Sequence, residues 1–323
     1  MTLPFVHAAA GSIIALALLS TGVLAQNYPE RWLRIIVGFS AGGATDVGAR
    51  LVAQQLAPLL GQAVVVENKP GAGGEIAQDF VAKAPPGGYT LLMASAGNAT
   101  QPAIRRELPF DPVKDFAWIS TVTTYPFVIV TGPQAPFKSL ADFIARAKAE
   151  PGKFSWGSAG VGTSGHLLGE WLSDATGIEL LHVPYKGQAN ALIEVIAGRI
   201  NLDIEPLVQM VPHVKAGKMR ALAVTSREPS SFLPEVPTAV QAVPGYVFQS
   251  WLGVAAPAAT SPEIVARLNR ELRRLLADPE VQKRLTEIGG VAAPSSPEEM
   301  RAQVASEVDR WRQLVKNRRI EQH

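Results

Sequence analysis

The feature that most limits this chain is a regular alternation of two hydrophobic periods. Strand-like runs, "LRIIVGF", "AVVVEN" and "YTLLMAS", alternate with runs whose apolar residues recur at helical spacing, "VGARLVAQQLAPLL" and "EIAQDFVAKA". A β-α-β-α-β order buries both faces of its strands in a parallel sheet with helices on either side. From Ile119 the alternation restarts with "ISTVTTYPFVIVT", then the helix "SLADFIARAKA", the strand "FSWGS" and the helix "GHLLGEWLSDA". It continues through "IELLHVPY", "ALIEVIAG", "INLDIE", "VQMVPHVKAG" and "MRALAVTS". The pattern predicts two α/β domains, and 323 residues suffice for a core in each.

The last part of the chain reads as helical. Ser261-Pro262-Glu263 and Ser296-Pro297-Glu298-Glu299 each offer a serine N-cap with proline at the first helical position. Glu299 completes a capping box, and Met300, Val304, Val308, Trp311 and Val315 then form a helical stripe that predicts packing against a domain. Joins rich in proline and glycine fall at 85–88, 131–136 and 243–246.

Residues 1–25 stand apart from this pattern. They hold an apolar run without Lys, Arg, Asp or Glu, ending in Val23-Leu24-Ala25. A short apolar stretch before a small-x-Ala site is the pattern of a secretory signal peptide, so cleavage after Ala25 is expected. The chain has no cysteine, which excludes disulfides and a lipoprotein anchor and suits a bacterial periplasm. A formal net charge of +2 argues against a nucleic-acid binder, and 47% apolar residues is ordinary for a soluble protein.

The first strand leads into Gly38-Phe39-Ser40-Ala41-Gly42, which spells the G-x-S-x-G of a hydrolase nucleophile elbow. Such an elbow follows several strands that supply an oxyanion hole, whereas Ser40 sits in the first strand–helix turn of the expected mature chain. The later histidines, His166, His182, His213 and His323, lie next to no obvious acid late in the sheet. A serine hydrolase using Ser40 therefore stands as the alternative reading. A nucleotide site is weaker still, since neither GxGxxG in the first turn nor GxxxxGK[ST] occurs.

A second turn echoes the first. "SAGGATD" (40–46) and "SAGVGTSGH" (158–166) each follow a strand and open a helix. A loop of small residues before a helix exposes N–H groups and the positive end of the helix dipole, which together hold an anion. Two such turns facing each other would hold a small carboxylate, with hydroxyls of Ser40, Thr45, Ser158 and Thr163 as added donors. For Asp46 the competing role is capping its own helix. His166 competes with a role behind the loop, and Lys186 with ordinary solvation.

These segments, together with "LGQAVVVENKPGAGGEIAQDFVAKAPPGGYTLLM", "LPFDPVKDF", "HVPYKGQANALIEVIAGRI", "VPHVKAGKMRALAVTS" and "LPEVPT", strongly resemble the Bug/TctC family. That family comprises the extracytoplasmic solute receptors of tripartite tricarboxylate transporters, and the resemblance covers essentially all of the chain after residue 25. It implies a two-domain periplasmic-binding-protein fold of type II, α/β in each domain, with the ligand in the interdomain cleft. It implies that the chain crosses twice, giving domains 26–123 plus 248–323 and 124–247. It implies a carboxylate ligand held mainly by backbone N–H groups and water. By motif, the site would include Phe39, Ser40, Ala41, Gly42, Gly43, Thr45 and Asp46 from the first turn, and Ser95, Gly97 and Asn98 after the third strand. From the second half it would take Ser158, Ala159, Gly160, Gly162, Thr163 and His166, with Tyr185 and Glu205. Membrane transporter subunits are the implied partners. No catalytic residue, cofactor or metal is assigned, and a monomer is expected. A receptor that signals to a sensor protein remains open beside uptake.

One departure from the family pattern is informative. Where relatives often carry aspartate followed by asparagine, this chain has Glu205-Pro206. Proline removes a backbone donor, and a carboxylate here repels a second ligand carboxylate. The expectation is a ligand with one firmly held carboxylate and an amino or neutral hydroxyl group at its far end.

Overall fold

A computed structural model describes residues 28–185 and 188–322, without the side chain of Ala189. The expected leader at 1–25, its cleavage after Ala25, and the Lys186 and Gly187 pair lie outside the described residues.

β1 (Leu33–Val37) lies between β2 (Val64–Asn68) and β3 (Thr90–Ser95), parallel to both, with Leu33 opposite Val64 and Ile35 opposite Leu91. Successive side chains of a strand point to opposite faces, so an all-apolar strand is buried on both. Leu33, Ile35 and Val37 accordingly share a core with Val52 and Leu56 of α1 (Ala44–Leu60) and Leu268 and Leu272 of α8 (Pro262–Leu276). Ile36 faces the other core, with Val81 of α2 (Glu75–Ala82) and Ala99 of α3 (Gly97–Ile104). The second half repeats the plan. β5 (Phe154–Ser158) runs parallel to β6 (Leu180–Pro184) on one side and β7 (Leu202–Pro206) on the other. It is flanked by α4 (Leu140–Ala149), α5 (Ser164–Thr176), α6 (Gln188–Ile196) and α7 (Leu207–Lys215).

Two strands join these groups. β4 (Phe116–Thr131) is 16 residues long and pairs antiparallel with β9 (Gln249–Pro257) from Phe116 opposite Pro257 to Pro126 opposite Gln249. Beyond Pro126 it leaves β9 and runs between β7 and β8 (Arg220–Val224), antiparallel to both. Where it changes partners, the buried hydroxyl of Thr225 donates to Phe248 O at 2.7 Å and accepts the Phe127 N–H at 2.8 Å. That one side chain therefore ties both connecting segments together.

One strand has no counterpart in the sequence reading: β9 precedes the helical part, and its residues from Ser250 to Pro257 are all buried. A strand covered on both faces shows no alternation, and "WLGVAAP" carried none to read. Each sheet keeps the expected parallel group of three strands, joined to antiparallel neighbours.

The helical C-terminal part follows its caps. Ser261 accepts the Ile264 N–H and opens α8, and α9 (Pro279–Glu287) starts on Asp278. A two-residue strand, β10 (Val291–Ala292), then pairs with β4. The capping box of Ser296 and Glu299 opens α10 (Pro297–Arg318). Its stripe of Met300, Val304, Val308, Trp311 and Val315 is buried against α3, β4 and α5. Glu307 of the same helix accepts the indole N–H of buried Trp251 at 2.9 Å, so the polar atom of that strand residue is satisfied. Truncating either tryptophan would cost about 3–5 kcal/mol. Among the described residues no helix is long and apolar enough to cross a membrane.

Candidate functional site

The first turn, between β1 and α1, is held open by its own carboxylate. Gly42 has φ +83°, a conformation glycine adopts without strain, and Gly43 caps the helix without a side chain. Asp46 reaches back instead: its Oδ2 accepts the Gly42 N–H and the Arg50 Nε–H, each at 2.9 Å. Its Oδ1 accepts from Asn68 Nδ2 at 2.8 Å, and the same amide donates to Phe39 O at 3.0 Å. The hydrogen bond from Arg50 is the main reason the Asp46 carboxyl is held down to about pKa 2, against the opposing effect of burial. Both Asp46 oxygens thus brace the turn ahead of α1 rather than cap the helix, whose N-cap Gly43 receives no side-chain hydrogen bond. The first-turn N–H groups of α1 precede the first helical hydrogen bond and carry the positive end of its dipole.

The second turn looks alike in letters and is wired differently. Ser158 is fully buried, accepts the Gly160 N–H at 3.2 Å and pairs with His182 Nε2 at 2.7 Å. Thr163 caps α5, accepting the His166 N–H, and donates to Gly160 O at 2.7 Å. His166 Nδ1 accepts the Gly162 N–H at 3.2 Å. Trp156, His182 and His166 stack behind the turn, with the two imidazoles 4.2 Å apart. Burial, with a smaller contribution from His166, lowers the His182 pKa to about 3, so the His182 imidazole is neutral. The Ala159 N–H is taken by the Glu205 carboxyl. The second turn therefore already contains a carboxyl group of the chain itself.

Between the turns lies a cavity of about 190 Å³. Phe39 and Thr45 line it from the first turn, Ser95 and Gly97 from the end of β3, Gly162 and Thr163 from the second turn, and Glu205 from β7. The other expected residues are elsewhere. Ser40, Ala41, Gly42 and Gly43 are exposed at the tip of the first turn, outside the lining. Asp46, Asn98, Ser158 and His166 are buried behind it, Asn98 accepting the Ser95 N–H at 2.8 Å. Ala159, Gly160 and Tyr185 are half-buried and also outside the lining.

Several lining residues escaped the sequence reading. Gln101 of α3 packs over Gly73, leaving no room there for a β-carbon, and lies 3.5 Å from the place a β-carbon on Gly162 would occupy. It thus touches loops of both halves. Tyr125 and Phe127 stack at 6.4 Å on the connecting strand, and Tyr125 hydrogen-bonds Ser250 on the other. A short polar helix and two connecting strands carry no turn motif to draw attention to them.

Glu205 is 5% exposed and its Oε1 has no partner. Burial first, and then Asp203, raise its pKa well above the ordinary carboxylate value. Burial therefore favours the protonated form of this carboxyl, and the repulsion expected from the sequence belongs to its ionised form.

Ser40 makes no side-chain hydrogen bond with a histidine or acid among the described residues, so no triad assembles on G-x-S-x-G. Of the two turn serines, the one that meets a histidine is Ser158, and it is sealed from solvent.

Comparison with known proteins agrees with a binding site. Protein BugT of Bordetella pertussis is 36% identical over 309 residues, 95% of each chain. The solved structure of R. palustris Rpa4515 with adipate is 36% identical, with a TM-score of 0.82 over 92% of this chain and 100% of that one. MatC (Rpa3494) from Rhodopseudomonas palustris, solved with bound malate, is 31% identical, with a TM-score of 0.78 over 89% of this chain and 100% of that one. The family model described as tripartite tricarboxylate transporter family receptor matches residues 48–320. The chain is thus a solute-binding receptor rather than an enzyme, and it belongs to the tripartite tricarboxylate transporter receptor family.

Proposed function

We propose that this protein captures a small carboxylate in the cleft between two domains, in the periplasm, and hands it to membrane subunits of a tripartite tricarboxylate-type transporter. The observation that carries this is the cavity itself, lined by Thr45 at the start of α1 and by Gly162 and Thr163 at the start of α5. N–H groups at the start of a helix hold carboxylate oxygens without a cationic side chain. Relatives solved with adipate and malate support a carboxylic acid of that size. The domains are 26–123 plus 248–323 and 124–247, and the change of partners along β4 near Pro126, with Thr225 beside it, supports that division. Residues 1–25 are a signal peptide removed after Ala25.

Thermal-shift screening against mono- and dicarboxylates tests the reading. A ligand at a hundred times its Kd stabilises the folded state by about 2.7 kcal/mol, which raises Tm by several degrees. A receptor shows that shift with a carboxylate and none with the matching amide.

A further inference from the structure

The face of β7 turned toward α6 and α7 carries two acids. Asp203 and Glu205 are two residues apart on one strand, so their side chains share a face. Their neighbours in register, Val130 and Val128, pack with Leu207 and Met210 of α7. Asp203 is fully buried, with Oδ1 accepting the Ile204 N–H at 2.9 Å and Oδ2 without a partner. Glu205 lines the cavity and accepts the Ala159 N–H, and its unpartnered Oε1 is buried 3.6 Å from where a β-carbon on Gly165 would stand. Among the described residues neither acid forms an ion pair with Lys, Arg or His.

Among the described residues the groups around the pair do not supply the missing charge. Tyr185, just after β6, also feels the Asp203 charge, and Arg199 is already paired with Glu194 of α6. From α5, His166 is committed at Nδ1 to Gly162 and lies 3.9 Å from Glu170 at Nε2. β4 and β5 present Val128, Val130 and Gly157. A buried acid pair without a counter-cation either keeps a proton or receives a cation from outside. One of its two members, Glu205, lines the ligand cavity.

We propose that the Asp203–Glu205 pair is the seat for a ligand ammonium group, so that the protein takes a zwitterionic amino-carboxylic acid with its carboxylate at the α1 turn and its amine at Glu205. This rests on the carboxylate-receptor reading and names the ligand class of the same cleft. The ammonium donates to the Glu205 carboxylate and balances its charge, and the proton that Glu205 held passes to solvent as the ligand enters. The second turn, whose Ala159 N–H is already taken by Glu205, no longer needs a second ligand carboxylate.

The test is calorimetric titration of the purified protein with matched acids: γ-aminobutyrate, succinate and butyrate, and β-alanine, malonate and propionate. Titrations run at about pH 6 and about pH 8, in buffers of different ionisation enthalpy. The proposal expects the amino acid of each set to bind at least about tenfold more tightly than its diacid, which is 1.4 kcal/mol. Its affinity should rise with pH, with net proton release. In Glu205→Gln the preference should fall below about threefold, and Asp203→Asn should shift the pH profile. A diacid preferred by the wild type, with affinity falling as pH rises, would make Glu205 a proton donor to an anion and overturn the proposal. So would a preference that survives Glu205→Gln in a variant with native circular dichroism. If none of the six acids binds the wild type, the carboxylate-receptor reading itself fails, and the proposal with it.

Discussion

The Asp46 carboxylate accepts the Gly42 N–H at 2.9 Å, closing the first turn on itself from inside α1. Asp46→Ala removes this brace together with the contacts to Arg50 and Asn68. The expected outcome is faster hydrogen exchange at Gly42 and Gly43, ligand affinity weakened about tenfold, and stability lower by about 1–2 kcal/mol. Because the folded pKa is lowered to about 2, the stabilisation is present above the ordinary aspartate value and lost as pH falls from about 4 toward 2. Denaturant titrations of wild type and variant should therefore converge in acid.

His182 gives a second acid sensitivity in a different window. Its imidazole is neutral in the fold, pKa about 3, and accepts a proton near pH 6.5 once unfolded. The unfolded chain binds more protons between those values, so stability is full above about pH 6.5 and declines below it. His182→Gln keeps a polar partner for Ser158 and removes the titration. It should flatten the loss of stability between about pH 6.5 and pH 4 by about 1–3 kcal/mol, read from chemical denaturation at each pH.

Much of this architecture was legible because local chemistry and tertiary position agree. The βα alternation, the serine caps of α8 and α10, and the stripe ending in Trp311 are each specified within one short segment. The turns at 39–46 and 158–166 were legible as a pair, and Thr45, Gly162 and Thr163 do line one cavity. Letters could not separate the lining from its support: Asp46 and His166 sit within the same motifs and point away, into hydrogen bonds with their own loops. Tyr125 and Ser250 come from β4 and β9, whose pairing is a long-range fact no local pattern records, and Gln101 from the short polar helix α3. Asp203 was passed over for a similar reason, since its burial follows from packing rather than from its neighbours in sequence.

Gly165 marks the closest approach of α5 to β7. A β-carbon there would stand 2.6 Å from Ile204 O, a backbone atom that cannot swing aside. Gly165→Ala should push the start of α5 off the strand and move Thr163 and Ser164 in the cavity wall. Stability should drop by about 1–3 kcal/mol, with ligand affinity lower by more than tenfold. Unchanged affinity in a well-folded Gly165→Ala protein would place the ligand elsewhere.

Asp203 predicts the opposite pH trend from Asp46. Burial raises its folded pKa, so the native state keeps a proton that the unfolded chain gives up above about pH 4. Stability from this group is therefore lost as pH rises from that value through the raised one. The Tm difference between Asp203→Asn and wild type should turn in favour of the variant as pH goes from about 5 to about 8. The expected swing is about 1–3 kcal/mol by calorimetry.

Ser40 decides whether this molecule holds or cuts. Its side chain is exposed and outside the cavity lining, so Ser40→Ala should change ligand affinity by no more than about 1 kcal/mol. The most direct measurement is native mass spectrometry of the protein purified without dialysis, for wild type and Ser40→Ala side by side. The receptor account predicts one small carboxylic acid per chain in both, released intact on unfolding. It is contradicted if neither carries or takes up a carboxylate, while the wild type alone hydrolyses an ester and is labelled at Ser40 by a phosphonate.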